Sequence, residues 1–381
     1  MEFDYTEEQL ALQETLQKFV ARDYDFEKRR GFSHSEPGYS PGAWAQYAEL
    51  GLLSLPFPEV QGGLGGNAVD VMVVMEEIGR GLLLEPYLSS VVTCGGLIRD
   101  SASEAQKDKL LPPIGAGKLQ IALAAYEAGG RFNLAHVACK ADKQGADWQL
   151  TGHKSVVLDG ASAQYFLVAA RNVGKVSDRD GISVFLVPRA APGVTVRPYP
   201  TQSGGRAADL LLQNVVLQAD ALVGAAGHGL AIVERAVDQA CAALCAEAVG
   251  IMTALNQATL EYLKTRKQFG VAIGTFQALK HKMADMLIAA EQSRSMAIIA
   301  AVNADSPDAA SRRRAIAAAK AYIGQAGRLV GQQAVQMHGG MGVVDDLIVS
   351  HYFKRLTMID LTFGDVDYQL AYFSDSLLPA A

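Results

Sequence analysis

The stretch QACAALCAEAVGIMTALNQATL, residues 239–260, contains a single ionised side chain, Glu247. A run of this length and apolar character matches a membrane span. The polar residues Gln239, Asn256 and Gln257 make it a poor span, so we predict a long buried helix of a globular protein. A carboxylate is rarely buried alone, because removing its charge from water is costly. Glu247 therefore needs either a partner or a chemical task.

The composition is that of a folded globular chain with more than one domain. Its 381 residues are 50% hydrophobic and 19% charged, which indicates two or three domains rather than disorder. The net charge of −6 gives no general attraction for nucleic acid or for an anionic membrane. The cysteines form no CxxC pair and the histidines show no metal-ligand spacing, so we expect neither a disulfide framework nor a metal site. No apolar signal-peptide core follows Met1, and a reducing, cytoplasmic location fits these features.

The periodicity of apolar residues changes twice along the chain. Residues 1–119 have helical spacing and open with a capping box formed by Thr6 and Gln9. Residues 120–225 contain short runs rich in β-branched residues, separated by Gly, Pro, Asp and Asn. Residues 226–381 return to helical spacing, with predicted helices from Gly229 to Arg266 and over 276–303, 307–337 and 342–357. We predict an α+β fold with an N-terminal helical domain, a small antiparallel β domain and a C-terminal four-helix bundle.

Two segments of the third zone carry a family resemblance. TRKQFGVAIGTFQALKHKMADM (265–286) resembles the RxxFG…FQ…LADM segment of the acyl-CoA dehydrogenase family, and QMHGGMGVVDDLIVSHYFKR (336–355) resembles its QxxGGxG segment. PEVQGGLGG, MEEIGR and W-x-LTGHK agree with the family in the same order, so the resemblance covers nearly the whole chain. The N-terminal half is most similar to pimeloyl-CoA dehydrogenase small subunits and to paired enzymes that oxidise steroid side-chain CoA esters.

The resemblance implies FAD as the cofactor. It implies that the adenine and pyrophosphate end of FAD, largely that of a neighbouring subunit, contacts Arg266, Phe269, Gln277, Gln336, Gly339 and Gly340. A guanidinium fork suits paired phosphate oxygens, and glycines let backbone N–H groups approach a ligand closely. The resemblance also implies either a homo-oligomer, dimeric or tetrameric, or an α2β2 assembly with a related subunit.

The position of the catalytic base departs from the family pattern. Most relatives place a Glu in a Y-E-G-T stretch, where this chain reads LTFGDVDYQL and has Gly364. Some relatives place their Glu on the long helix, at the position of Ala240. Glu247 lies two helical turns after Ala240, on nearly the same face and roughly 10 Å along the axis. Burial among apolar residues would suit this carboxylate to general-base chemistry, so Glu247 is the predicted base.

Two other interpretations of these carboxylates stay open. Asp365, next to the vacant position, is an alternative base, although its side chain is shorter and shifted by one residue. Glu247 is alternatively a buried structural carboxylate that bonds to a facing helix through His281 or Lys282.

The segments that contact the flavin ring in relatives are also altered. The W-I-T stretch of the family is replaced by residues 156–158, Val-Val-Leu, and the T-E-P-x-A-G-S-D loop by residues 125–131, AYEAGGR. The ring contacts then come either from Tyr126 and backbone groups or from a partner subunit.

The leading hypothesis is FAD-dependent α,β-dehydrogenation of an acyl-CoA. Glu247 would take the α-proton, and the β-hydride would pass to the flavin. The resemblance implies that a backbone N–H near Gly364 and the ribityl hydroxyl of FAD polarise the thioester oxygen. Electrons would leave to electron transfer flavoprotein. The expected acyl chain is dicarboxylic or ring-bearing, and Arg131 is a candidate contact for a distal carboxylate.

Two rival hypotheses use the same scaffold. A non-catalytic or half-site subunit would complete the FAD site of a partner, which fits retained cofactor segments beside altered ring contacts. A flavin monooxygenase or nitroalkane oxidase would instead use Asp365.

Overall fold

The structure, a computed structural model, describes residues 5–378, so the first four and last three residues of the predicted terminal domains lie outside the described residues. The helices are α1 Glu7–Asp23, α2 Phe26–His34, α3 Pro41–Glu49, α4 Ala68–Gly81, α5 Gly96–Ser101, α6 Glu104–Gly115, α7 Gly229–Thr265, α8 Gln277–Ala304, α9 Ala309–His338, α10 Ile348–Leu361 and α11 Val366–Asp375. A π-helix, Tyr87–Gly95, lies between α4 and α5. The predicted order of helical, β and helical regions is confirmed.

The N-terminus of α1 confirms the predicted capping box. The Thr6 hydroxyl accepts the Gln9 backbone N–H at 3.2 Å, and the Gln9 side-chain oxygen accepts the Thr6 N–H at 3.1 Å. Both otherwise unpaired donors of the first turn are thereby satisfied.

The middle region forms a mixed sheet. Its strands are β1 Ile121–Ala124, β2 Lys140–Gln144, β3 Asp147–Leu158, β4 Tyr165–Arg171, β5 Ile182–Pro188, β6 Val194–Pro200, β7 Arg206–Leu217 and β8 Leu222–Val223. The strand order is β6-β7-β3-β2-β4-β5-β8, with β1 beside β4. Pairing is antiparallel except that β1 and β2 run parallel to β4, which corrects the prediction of a wholly antiparallel domain. The residue pattern reports burial and strand length, whereas strand direction depends on connections that the pattern does not encode.

Two compact units divide the chain. One combines the described part of Met1–Arg29 with Ala68–Leu83 and the described part of Cys241–Ala381, and the other contains Arg30–Asn67 and Leu84–Ala240. The first unit thus joins α1 and α4 to the C-terminal helices. The predicted boundaries at residues 119 and 225 stay a prediction.

The apolar stretch that opened the sequence analysis lies in α7, which is 37 residues long. By length and composition α7 could cross a membrane, but 94% of its most apolar window is buried inside the protein. Glu247, at 2% exposure, is buried with it. This burial is typical of the core helix of a folded domain.

Helices α4 and α7 cross at two glycines in the first unit. A Cβ at Gly79 would lie 2.0 Å from the Glu247 carbonyl oxygen, and a Cβ at Gly250 would lie 1.8 Å from the Glu76 carbonyl oxygen. Each glycine therefore lets the backbone of one helix touch the backbone of the other. Any side chain at either position would force the two helices apart.

We expect Gly250→Ala to destabilise the protein, because the added methyl group overlaps the backbone of α4. Overpacking of this kind costs about 1–3 kcal/mol, and contact with backbone places this case at the upper end. Thermal unfolding followed by circular dichroism measures the change. The matched control is Gly31→Ala in α2, where a built Cβ has nothing within 4 Å. That variant should gain about 0.5–1 kcal/mol of helix propensity. Equal melting temperatures for the two variants would contradict the close-contact interpretation.

Candidate functional site

Glu247 is held by an arginine. Its two carboxylate oxygens accept hydrogen bonds from Arg355 of α10, one from Nε and one from Nη2, the latter at 2.7 Å. The fork of the guanidinium matches the two oxygens, which is the strongest geometry for such a pair. The partner is therefore on α10 and is neither His281 nor Lys282, whose ammonium donates to Gln333 of α9 at 2.8 Å. The buried charge of Glu247 is thus compensated.

The ion pair leaves further hydrogen-bond acceptor positions on the carboxylate of Glu247. A carboxylate has about four acceptor positions, and a bidentate guanidinium occupies one on each oxygen. Arg355 also fixes the orientation of the carboxylate, since both oxygens are held at once. The arrangement is that of a compensated buried pair, and the catalytic role of Glu247 stays a prediction.

The MEEIGR segment supplies a second set of ion pairs in the same unit. Glu76, 2% exposed, receives Nη1 of Arg294 at 2.7 and 2.9 Å. Glu77, which is fully buried, receives Nε of Arg80 at 3.0 Å. Burial raises the pKa of Glu77, and Arg80 partly offsets that effect. Sequence reasoning used this segment only as a sign of family, whereas the structure assigns its carboxylates to helix pairing.

Gly364 leaves no space for a side chain. Its φ is +117°, and a built Cβ would lie 2.5 Å from Tyr368 Cδ1 and 2.6 Å from Gln369 Nε2. Asp365, the alternative base, accepts the Tyr368 N–H at 3.0 Å and is the N-cap of α11. Its carboxylate therefore stabilises the helix start.

The first predicted cofactor segment follows α7 directly. A short hairpin, β9 Lys267–Gln268 and β10 Val271–Ala272, carries Phe269 at its tip with φ +55° and 90% of its surface exposed. The Phe269 ring lies 6.2 Å from that of Phe276, edge to face. Arg266, just before the hairpin, and Gln277, the first residue of α8, are also exposed.

The second predicted segment lies at the end of α9. Gln336 is exposed in the last helical turn, and Gly339 follows with φ +60°. A Cβ built at Gly339 or Gly340 has nothing within 4 Å, so both backbones are open to an approaching ligand.

A ring stack joins the two segments. Tyr262 lies in the last turn of α7, four residues before Arg266. Its ring stacks on His338 with ring centroids 4.3 Å apart, and its hydroxyl donates to the His338 carbonyl at 3.4 Å. Burial lowers the pKa of His338, which favours the neutral ring that stacks here. The stack brings the Arg266 segment beside the Gly339–Gly340 turn. The exposed guanidinium, aromatic ring, amides and open glycines fit a phosphate-bearing, aromatic cofactor at the surface of one subunit.

The altered flavin-ring segments lie in the second unit. Val156, where relatives have Trp, is 55% exposed with φ +55° beside a bulge in β3. Glu127, in the replaced loop, is held by three hydrogen bonds. The fully buried Lys154 donates to its side chain, which also accepts the backbone N–H groups of Ala138 at 2.7 Å and of Cys139 at 3.0 Å. Sequence reasoning missed this pair, although Lys154 stands in the quoted LTGHK segment.

Two further observations concern Arg131, the predicted contact for a distal carboxylate of the substrate, and metal binding. The guanidinium of Arg131 lies over the Phe132 ring, 5.1 Å from its centroid. Within residues 5–378, no group of three or more His, Cys, Asp and Glu side chains is arranged to hold a metal ion.

His351, one turn before Arg355 on α10, gives the first unit a pH-dependent contact. Its Nε2 donates to the Asp345 carbonyl at 2.8 Å, and its Nδ1 accepts from Arg29 Nη1 at 3.3 Å. An arginine cannot accept, so this geometry requires a neutral ring with its proton on Nε2. Burial lowers the pKa of His351 below the ordinary 6.5.

We expect the free energy of unfolding to decrease as the pH falls below about 6.5, because the unfolded state then takes up protons that folded His351 does not bind. Above that pH both states carry a neutral ring and the effect vanishes. Urea unfolding between about pH 5 and 8 measures the slope. His351→Gln, which keeps a donor near Asp345, should reduce this slope. The pKa of His338 is lowered as well, so its protonation accounts for part of the slope that remains in the variant. If the variant and the wild type have the same slope, the pH dependence comes wholly from groups other than His351.

Comparisons with known proteins agree with this architecture. Models of the acyl-CoA dehydrogenase N-terminal, middle and C-terminal domains match residues 6–118, 122–218 and 227–378. The acyl-CoA dehydrogenase FadE12 of Mycobacterium tuberculosis is 30% identical over 352 residues, which are 90% of this chain and 89% of FadE12.

Two solved structures share the fold over almost their full length. A variant of the Tcur3481-Tcur3483 steroid ACAD has a TM-score of 0.88 and 29% identity, covering 97% of this chain and 98% of that one. The ChsE4-ChsE5 complex of Mycobacterium tuberculosis has a TM-score of 0.89 and 27% identity, covering 100% of both chains. These matches confirm the resemblance carried by the two C-terminal segments. The chain belongs to the acyl-CoA dehydrogenase family.

Proposed function

We propose that this chain takes part in FAD-dependent α,β-dehydrogenation of an acyl-CoA whose acyl chain is dicarboxylic or ring-bearing. The observation that carries the proposal is the junction of the Arg266–Gln277 segment with the Gln336–Gly340 segment through the Tyr262–His338 stack. Membership of the family gives the reaction class and the cofactor. The kinship with a steroid ACAD supports a bulky acyl group.

The exposed residues of these two segments would hold the adenine and pyrophosphate end of FAD. Arg266 would pair with phosphate oxygens, Phe269 would give an apolar face, and Gln277 and Gln336 would supply amide groups. Gly339 and Gly340 would donate backbone N–H groups at close range. Because these residues are exposed on one subunit, the proposal includes an oligomer in which a neighbouring subunit covers them.

In the first form of the proposal, the chain is catalytic by itself. FAD supplies the acceptor for the β-hydride. Glu247, oriented by Arg355, takes the α-proton of the thioester, and the backbone N–H of Gly364 polarises the thioester oxygen. Electrons then pass to electron transfer flavoprotein, and the enzyme works in the cytoplasm.

In the second form, the chain is a half-site subunit that completes the FAD site of a related partner. Three observations favour it. Glu247 is engaged by Arg355, Gly364 has no space for a carboxylate, and Val156 stands where relatives place the ring-covering Trp. The related ChsE4-ChsE5 structure is a complex of two named chains, which supports an α2β2 assembly here.

We expect Gly340→Val to lower the flavin content while leaving the fold intact. Apart from its neighbours along the chain, no atom of residues 5–378 lies within 4 Å of a Cβ built at this position, so the added side chain would meet open space, which the proposal assigns to FAD. The flavin-to-protein absorbance ratio after gel filtration measures the loss, and far-ultraviolet circular dichroism monitors the fold. Full flavin content in the variant would remove Gly340 from the proposed site. Gly31→Ala, remote from the cofactor segments in the sequence, should keep the wild-type ratio.

The first form predicts that Glu247→Gln slows flavin reduction. The purified protein is mixed anaerobically with a panel of dicarboxyl-, aryl- and steroid-CoA thioesters, and bleaching of the flavin absorbance is followed. Loss of a general base lowers such rates by about 10²–10⁴-fold. The matched control is Glu76→Gln, since Glu76 is equally buried and is also held by an arginine, Arg294.

The outcomes separate the two forms. Slow reduction in Glu247→Gln with normal rates in Glu76→Gln supports Glu247 as the base. Equal rates in both variants refute that assignment. A wild-type protein that holds no flavin alone but restores flavin binding to a co-expressed related subunit supports the half-site form.

A further inference from the structure

Lys320 of α9 is a buried ammonium that serves the backbone. It is 1% exposed, and its Nζ donates to the carbonyl oxygens of Ile359 at 2.8 Å, Asp360 at 3.0 Å and Gly364 at 3.1 Å. Burying an ammonium is costly unless its donors are satisfied. Here the ammonium donates all three hydrogen bonds to one short segment, which comprises the end of α10 and the turn into α11. The ammonium therefore compensates the unpaired carbonyls and negative dipole at the C-terminus of α10.

The same face of α9 fixes both ends of this turn. Gly324 and Arg328 follow Lys320 at intervals of four residues, so they share its helix face. Asp360 receives Arg328 Nη2 at 3.1 Å and the Val366 N–H at 3.2 Å. A Cβ at Gly324 would lie 2.6 Å from Asp360 Oδ1, so this contact requires glycine.

Gln369 of α11 holds the turn from the other side. It is fully buried, and its Nε2 donates to the carbonyls of Phe363 at 3.2 Å and Gly364 at 3.4 Å. Phe363 has a φ of +60°, which is unfavourable for a residue with a side chain and needs such support, whereas Gly364 adopts its φ of +117° freely. Lys320 and Gln369 together turn both carbonyls toward the protein interior.

The inward carbonyls determine where the amides point. In a trans peptide the C=O and the following N–H point in opposite directions, and the described chain has no cis peptide. The Gly364 N–H therefore points away from buried Gln369. Among residues 5–378 it donates to no acceptor.

We propose that Lys320 and Gln369 are positioning residues that aim the Gly364 N–H at the thioester oxygen of the substrate. This inference rests on the proposed function. A chain without a carboxylate at position 364 has no side chain there to fix the turn. Lys320 and Gln369 fix it through its carbonyls instead.

The test compares Lys320→Met with wild type in the flavin-loaded protein. Infrared difference spectroscopy of bound cinnamoyl-CoA, labelled with ¹³C at the thioester carbonyl, reports the hydrogen bond to its oxygen. We expect the carbonyl frequency to rise toward that of free cinnamoyl-CoA. We expect kcat for the best thioester of the panel to fall about 10- to 100-fold with a smaller change in KM, since an oxyanion donor acts mainly in the transition state.

A second readout requires neither substrate nor flavin. Hydrogen exchange of the Val366 amide, which donates to Asp360 within this turn, should accelerate at least tenfold in Lys320→Met. Lys282→Met is the matched control, because Lys282 donates to a side chain, Gln333, and should change none of these quantities. If Lys320→Met does not fold, Gln369→Met removes the two other hydrogen bonds that hold the turn, those to the Phe363 and Gly364 carbonyls, without removing a buried charge.

Each outcome decides the inference. Unchanged Val366 exchange shows that Lys320 does not hold the turn and overturns it. Faster exchange with unchanged carbonyl frequency and kcat assigns Lys320 to stability alone and also overturns it. A wild-type protein that no thioester reduces refutes the catalytic form of the proposed function, and the inference falls with it. If the wild type is active and Lys320→Met matches it in carbonyl frequency, kcat and Val366 exchange, the inference alone is refuted.

Discussion

The contact between α4 and α7 is the constraint on which the first unit depends. Gly79 and Gly250 bring the two backbones together, and this closeness leaves the neighbouring carboxylates Glu76, Glu77 and Glu247 buried. Each buried carboxylate then needs a cation, which Arg294, Arg80 and Arg355 provide. Arg294 stands on α8 and Arg355 on α10, so their ion pairs also orient these two helices, whereas Arg80 pairs with Glu77 within α4. An apolar crossing would bury as much surface but would specify the arrangement less tightly.

The sequence predicted the helices of the C-terminal region well because their apolar periodicity is long and uninterrupted. The predicted helix over 307–337 is observed as Ala309–His338, and that over 276–303 as Gln277–Ala304. The helix predicted over 342–357 begins later, at Ile348, since residues 339–343 form a 3₁₀ turn that positions the glycines. Helix α11, ten residues long, was not predicted, although Val366, Leu370 and Phe373 recur at helical spacing.

The site was harder to predict because its key contacts are long-range in sequence. Glu247 was singled out by its isolation in an apolar stretch, but its partner lies 108 residues away in the segment that ends FKR. Nothing in local spacing distinguishes Arg355 from Lys354 beside it, whose ammonium instead meets Asp345 at 3.0 Å. Lys320 was missed for the same reason: its acceptors are backbone carbonyls, and a carbonyl has no residue type to recognise.

The two cofactor segments and the turn at Gly364 impose independent demands. The Arg266 and Gly339–Gly340 segments need only exposed, open backbone and a stack that joins them, and a half-site subunit would keep these features for its partner. The turn held by Lys320 and Gln369 serves the proposed thioester contact instead, because its Gly364 N–H points away from Gln369. Lys320 also compensates the carbonyl end of α10, so a subunit that served only its partner would keep this ammonium for stability. The turn is therefore compatible with both forms of the proposal, and its carbonyl contacts explain how it keeps its shape without a carboxylate at position 364.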